Sequence, residues 1–198
     1  DPAFLAACYG FTEDEVKMLA ERHNASMDNL KMWYDGYNIG REKSIYNPYS
    51  VMKALQRGSC RSYWTTTGAY DSVITYIQMN FDGLKDDIIR MLAGERVYVN
   101  TSKFQNDMNI VRSKNDVLTV LIHLGYLAYD DEKQQCYVPN KEVTDELLNA
   151  VEDTSWKRLA DAITASRNLL DATIAGNENA VAQAIDLAHD ENTSILAY

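Results

Sequence analysis

Proline, cysteine and basic charge are all scarce in this sequence. Three cysteines among 198 residues, Cys8, Cys60 and Cys136, are odd in number, far apart and without a C-x-x-C pair. That pattern argues against a disulfide scaffold and a cysteine-built zinc site, and predicts reduced thiols in a cytoplasmic protein. Nineteen Lys plus Arg face 29 Asp plus Glu, a net charge of −10. So acidic a total disfavours broad non-specific binding to nucleic acid or an anionic membrane, which requires a basic surface. No long hydrophobic run is present. The most apolar stretch, Val117 to Tyr129, is interrupted by Thr119, His123 and Gly125 and falls short of the roughly 18–20 residues that span a bilayer. The chain opens at Asp1-Pro2 without a signal-peptide pattern, and the expectation is a piece trimmed from a longer protein.

What the sequence does contain is helix punctuation. Thr12 and Glu15 form a T-x-x-E capping box ahead of Val16, Leu19 and His23, with Phe11 and Val16 at staple positions. Ser26 precedes a short helix carrying Leu30 and Trp33, followed by the Asp35-Gly36 turn between aromatic residues. Asn47 and Pro48 supply an N-cap and a first helical residue whose missing N–H costs nothing, and Gly58 closes that helix. Apolar spacing predicts helices near 70–79 (Val73, Ile74, Ile77) and 84–93 (Leu84, Ile88, Leu92). Residues 96–100 alternate like a short strand. A polar stretch from Lys103 to Ser113 leads into an apolar helix with Val117, Leu118, Leu121 and Leu124, ended by Gly125.

Tyr126–Tyr129 and Cys136–Val138 then flank a charged turn and predict a β-hairpin, after which Asn140 caps a helix bearing Val143, Leu147 and Val151. Helix, hairpin, helix is the outline of a winged-helix-like unit. The last 48 residues hold eight acidic and three basic side chains, and Trp156, Leu159, Ile163, Leu170 and Ile174 mark one helix face. Gly176-Asn177 turns the chain into a second helix with Val181, Ile185 and Ala188, and Ser194-Ile195-Leu196 begins a further apolar segment. The expected fold is therefore mainly α: a helical bundle over 1–95, a winged-helix-like region with one small β-hairpin over 96–153, and a helical hairpin over 154–198.

Patterns that carry chemistry are thin. There is no G-x-x-x-x-G-K-S/T and no G-x-G-x-x-G; Gly36 and Gly40 lack the accompanying Lys. His23, His123 and His189 are scattered, and His123 reads as a core or helix-end residue rather than a metal ligand. Glu15-Val16-Lys17 and Asp131-Glu132-Lys133 imitate half of a metal-dependent nuclease site, but the first falls in a helix and the second in a turn. That chemistry needs its carboxylates gathered on a strand edge around Mg²⁺, so both strings read as solvated charge. The aromatic run Trp33-Tyr34-Asp35-Gly36-Tyr37 could stack a base or a peptide side chain. Helical flanks favour a buried structural turn instead, and Tyr46-Asn47-Pro48 and Tyr63-Trp64 take the same reading.

Taken in order, these segments resemble a known family. Tyr9-Gly10-Phe11-Thr12, then Trp33-Tyr34-Asp35-Gly36-Tyr37, then Ile45-Tyr46-Asn47-Pro48-Tyr49-Ser50-Val51, resemble the second part of bacterial AAA-ATPase-like proteins with a C-terminal PD-(D/E)XK nuclease-like domain. Tyr63-Trp64-Thr65-Thr66-Thr67 looks like that family's Tyr-Trp-x-x-Thr-Ser segment, with Thr67 in place of Ser. Leu124-Gly125-Tyr126-Leu127 and Val138-Pro139-Asn140-Lys141-Glu142-Val143 are similar to its later signatures.

The resemblance implies that 1–95 is a lid-like region of the ATPase, that 96–153 is a winged-helix-like connector, and that 154–198 opens the nuclease-like domain. It places the ATP- and Mg²⁺-binding residues upstream of Tyr9 and the nuclease carboxylates downstream of Tyr198. No catalytic, cofactor or metal residue is therefore carried over. The matched positions Trp33, Tyr34, Asp35, Gly36, Tyr37, Tyr46, Asn47, Pro48, Trp64, Gly125, Tyr126, Pro139, Asn140 and Lys141 are expected to be structural. The expected role is a non-catalytic regulatory or connecting region, partnered by the rest of its own protein. The alternative is a winged-helix module that binds nucleic acid or protein, with Arg112, Lys114 and Lys133 as phosphate contacts.

Overall fold

The computed structural model describes residues 8–40, 42–64, 77, 81, 83–102, 111–150 and 154–193. Several expectations fall outside them: most of the helix over 70–79, the threonines at 65–67, most of the polar stretch before 111, Val151, the Trp156 side chain and the apolar segment at 194–196.

The described chain is mainly helical, with two small antiparallel sheets. Helix α1 (Glu13–His23) starts with the predicted capping box: the Thr12 hydroxyl accepts from the Glu15 amide, and the Glu15 carboxylate accepts from the Thr12 amide at 2.8 Å. Helix α2 (Met27–Tyr34) is capped by Ser26, and α3 (Pro48–Arg57) by the Asn47 carboxamide, which accepts from the Tyr49 amide at 3.0 Å. Between α2 and α3 lies a hairpin absent from the expected outline, β1 (Tyr37–Ile39) against β2 (Glu42–Ile45). Its strands are three and four residues long, and Glu42 and Lys43 are exposed. Such brevity leaves no alternation to read.

These elements enclose a first core of Val16, Ala20, Leu30, Tyr34, Tyr46, Val51 and their neighbours. Phe11 is tied to it through a bridge to Tyr46, with Tyr46 N–H to Phe11 O at 2.8 Å. His23, expected on the apolar face of α1, is exposed.

A second core begins at α4 (Leu84–Leu92). Strand β3 (Val97–Tyr98), helix α5 (Lys114–His123), strands β4 (Ala128–Asp130) and β5 (Gln135–Tyr137), and helix α6 (Lys141–Ala150) follow. The predicted hairpin is present, with Tyr129 opposite Cys136, and β3 adds to it in the order β3-β5-β4. Leu84, Ile88, Val117, Leu118, Leu121, Leu127, Cys136, Val143 and Leu147 are buried together. At the β4–β5 turn Asp131, Glu132 and Lys133 are exposed, as a solvated charge run requires.

Helix α7 (Thr154–Ile174) packs on α4 and turns at Gly176 into α8 (Glu178–Thr193), the predicted helical hairpin. The face it buries matches the predicted one only in part. Ala160 is buried and Ile163 half-buried, and the Arg167 guanidinium grips the end of α4 through the Ala93 carbonyl at 3.0 Å and Glu95 at 2.8 Å. Leu159, Leu170 and Ile174 are exposed. A helix of this length runs about 32 Å, so its later turns pass beyond the short α4 that covers its start. Among the described residues no helix is long and apolar enough to cross a membrane.

Leu118 lies fully buried in the middle of the second core. Leu118→Ala should therefore cost about 2–5 kcal/mol, the range for an aliphatic side chain cut back in a packed interior. A urea melt followed by circular dichroism measures it.

Candidate functional site

The residues singled out by sequence converge on the seam between the two cores. The tightest point is the crossing of the Asp35-Gly36 turn with Pro139-Asn140. Helix α2 ends at Tyr34, and the chain turns through Gly36 at φ +114°, a conformation L side chains rarely adopt. A Cβ at Gly36 would overlap the Pro139 carbonyl. The Gly36 amide donates to the Asp35 carboxylate at 2.6 Å, and its carbonyl accepts from the Tyr137 hydroxyl at 3.0 Å. The Asn140 carboxamide bonds to both sides: its NH₂ donates to the Asp35 carbonyl at 2.8 Å, while its oxygen accepts from the Val143 amide at 3.1 Å as the cap of α6. One side chain thus starts a helix of the second core and holds the exit of a helix of the first.

A second crossing lies beside it. The Tyr37 hydroxyl donates to the Gly125 carbonyl at 2.7 Å. Gly125, at φ +82°, leaves room for Trp64: a Cβ there would stand 3.1 Å from the indole. The Trp64 ring stacks on Tyr126, centroids 4.9 Å apart and planes 5° from parallel. Lys141 sets its ammonium 4.9 Å from the Trp33 ring centroid, a cation–π contact. Trp33 is only half-buried, so its environment is a seam edge rather than a core. Tyr34, fully buried, exchanges hydrogen bonds with the Arg61 backbone at 2.9 and 3.0 Å. Tyr46 is buried in the first core, and Asn47 and Pro48 open α3 as expected.

Sequence reasoning missed a pair of buried acids. Glu142 and Glu146, one turn apart on α6, are each 1% exposed. Glu142 accepts from the Tyr63 amide at 2.8 Å and the Ser50 hydroxyl at 2.9 Å. Glu146 accepts from the Ser62 hydroxyl through one oxygen, and its other oxygen has no hydrogen-bond partner. Burial pushes both carboxyls above the usual range, and each is further raised by an acidic neighbour, Glu146 beside Glu142 and Asp145 beside Glu146. A Glu at two buried helical positions resembles ordinary surface charge in one dimension; only the Glu142–Glu146 spacing on the face carrying Val143 and Leu147 hints otherwise. Asp35 is likewise raised by burial, against the lowering effect of the Gly36 amide.

Other candidate chemistry separates in space. Glu15 is occupied in the Thr12 cap, His123 is the exposed last residue of α5, and Cys136 is buried with its thiol pushed up to about 12. Cys8 is exposed. Lys114 pairs with the buried Asp87 carboxylate at 2.7 Å, whereas Arg112 and Lys133 are exposed. Among the described residues no three His, Cys, Asp or Glu side chains gather as a metal site would require.

Gly36→Val should destabilise strongly through both a disfavoured positive φ and collision with the Pro139 carbonyl. Gly58→Ala, at a positive φ with nothing near its Cβ, isolates the backbone contribution alone; the excess loss at Gly36 in denaturant melts measures the seam. For Glu146, a raised folded-state pKa means the folded protein takes up its proton first as pH falls. Stability is therefore gained on acidification and lost as pH rises through the folded value. Glu146→Gln should melt higher than the parent protein at about pH 7, the two converging by about pH 4, where a free Glu is also protonated. Melting temperature across that range tests it.

No family model matches the chain, and no solved structure matches it. A stretch of 70 residues, 34% of the chain, is 34% identical to an uncharacterized protein in the vnfD 5′ region of Azotobacter chroococcum mcd 1. The match spans 13% of that protein's length.

Proposed function

We propose that this chain is a non-catalytic connecting and regulatory region of a bacterial AAA-ATPase-like protein, working in the cytoplasm between an ATP-binding part and a nuclease-like part of the same protein. The carrying observation is how the resemblance-bearing residues are used. Asp35, Gly36, Tyr37, Gly125, Pro139 and Asn140 hold one core against the other through backbone and capping bonds. Such residues transmit position rather than react, which suits a segment joining two working domains. In this reading ATP and Mg²⁺ belong to the parent protein, and the partners of this chain are its own neighbouring domains.

The strand order β3-β5-β4, with α5 between β3 and β4, favours a second reading, a winged-helix-like module that grips nucleic acid or protein. Two features weigh against the nucleic-acid form. Lys114 is held by Asp87, and the β4–β5 turn, which would approach phosphates, carries Asp131 and Glu132.

Calorimetric titration with Mg²⁺ and ATP should give no heat of binding at micromolar protein, since the chain has no phosphate loop to pair the triphosphate charge. Micromolar affinity would overturn the connecting-region reading. In parallel, random duplex DNA at about 150 mM salt, where charges act over roughly 8 Å, should bind weakly or not at all; sub-micromolar binding would move the conclusion to the winged-helix module.

A further inference from the structure

A cleft of about 340 Å³ opens along the seam, within the size range of small-ligand sites, which favour domain boundaries. Its walls come from both cores: Tyr37, Asn38 and Ile39 with Asn47 on one side, Ile122 and Tyr129 on the other, and Trp64 between. Among the described residues lining it none carries a charge. Against this described lining a phosphate or carboxylate would lose its water without gaining a cation, a cost that disfavours anionic occupants.

What the walls offer instead is aromatic surface already fixed in place. Trp64 is held by its stack on Tyr126, and Tyr37 by its bond to the Gly125 carbonyl. Fixed rings lose little freedom when a further ring packs on them. Two carboxamides lie at the walls, each half committed. Asn38 spends its NH₂ on the Tyr137 hydroxyl at 2.7 Å, leaving its carbonyl as an acceptor. Asn47 spends its carbonyl on the cap of α3, leaving its NH₂ as a donor.

We propose that this cleft is a binding site for an uncharged planar aromatic ring bearing one hydrogen-bond donor and one acceptor. The ring lies against Trp64 and Tyr37, and its polar edge meets Asn38 and Asn47. A bound ring touches both cores at once, so occupancy stiffens the seam. Either a free small molecule or an aromatic side chain presented by a peptide carries this chemistry.

The test titrates the whole chain with three probes by calorimetry: indole-3-carboxamide, acetyl-Gly-Tyr-Gly-amide, whose phenol is both donor and acceptor, and the anion indole-3-carboxylate. Saturable binding of either neutral probe, with the anion much weaker, supports the site. Preference for the first points to a free ligand and for the second to a peptide. Asn47→Asp keeps a carbonyl-type cap acceptor on α3 but replaces the donor with a negative charge. It should preserve the melting temperature and weaken the neutral probe about tenfold or more, as loss of a hydrogen bond with added charge mismatch requires. Ile39→Trp, which fills the cleft, should abolish binding. No saturation by either neutral probe, equal binding of the anion, or undiminished affinity in folded Asn47→Asp or Ile39→Trp would overturn the proposal.

Discussion

The structure turns on the close approach of two backbones, that of Gly36 and that of Pro139. Neither chain segment is regular there, and each leaves polar groups that its own element cannot satisfy. The Asp35 carbonyl at the end of α2 and the open amides at the start of α6 are such groups, and Asn140 serves both. Because buried backbone groups must find partners, the two cores are not free to slide past one another without breaking a helix cap. The seam is specified by backbone hydrogen bonding rather than by bulk apolar contact.

Around that crossing, aromatic hydroxyls act as struts. Tyr37 and Tyr137 each bring a hydroxyl to a carbonyl of the opposite segment, Gly125 and Gly36. Burial pushes the Tyr37 and Tyr137 phenols above their ordinary range, so both remain donors across neutral pH. The acids Glu142 and Glu146 sit on the same boundary but work against it, since their charge is buried and no salt bridge to a cation offsets it among the described residues. Retaining an ionisable pair at such a place trades stability for responsiveness to protonation, a balance that purely apolar packing would not give.

How much of this the sequence disclosed follows from the range of each interaction. Helix starts at Thr12, Ser26, Asn47 and Asn140 were legible because a cap joins residues two or three positions apart. The apolar faces of α4 and α5 and the β4–β5 hairpin were legible for the same reason. The face of α7 was legible only in part: of the predicted residues Ile163 packs on the core while Leu159, Leu170 and Ile174 are exposed, because which side of a helix is covered depends on where its neighbour lies. The Trp33–Tyr37 run was read as a turn, yet nothing local says that Gly36 meets Pro139. The cleft was invisible because its walls come from separate stretches of chain.

The sequence separation of the seam bonds has a consequence for the order of folding. Asp35 and Asn140 are 105 positions apart, Gly36 and Tyr137 101, and Tyr37 and Gly125 88. The contacts among α1, α2 and α3 close over a few dozen residues, so their loops cost less chain entropy and form sooner. On the ribosome, the first three helices emerge and collapse while the turn at Gly36 still lacks its counterpart. For the time taken to synthesise about a hundred further residues, several seconds at typical rates, that turn and the buried side of Tyr37 stay open to solvent and to other chains. The seam thus cannot form until long after its first half has been made.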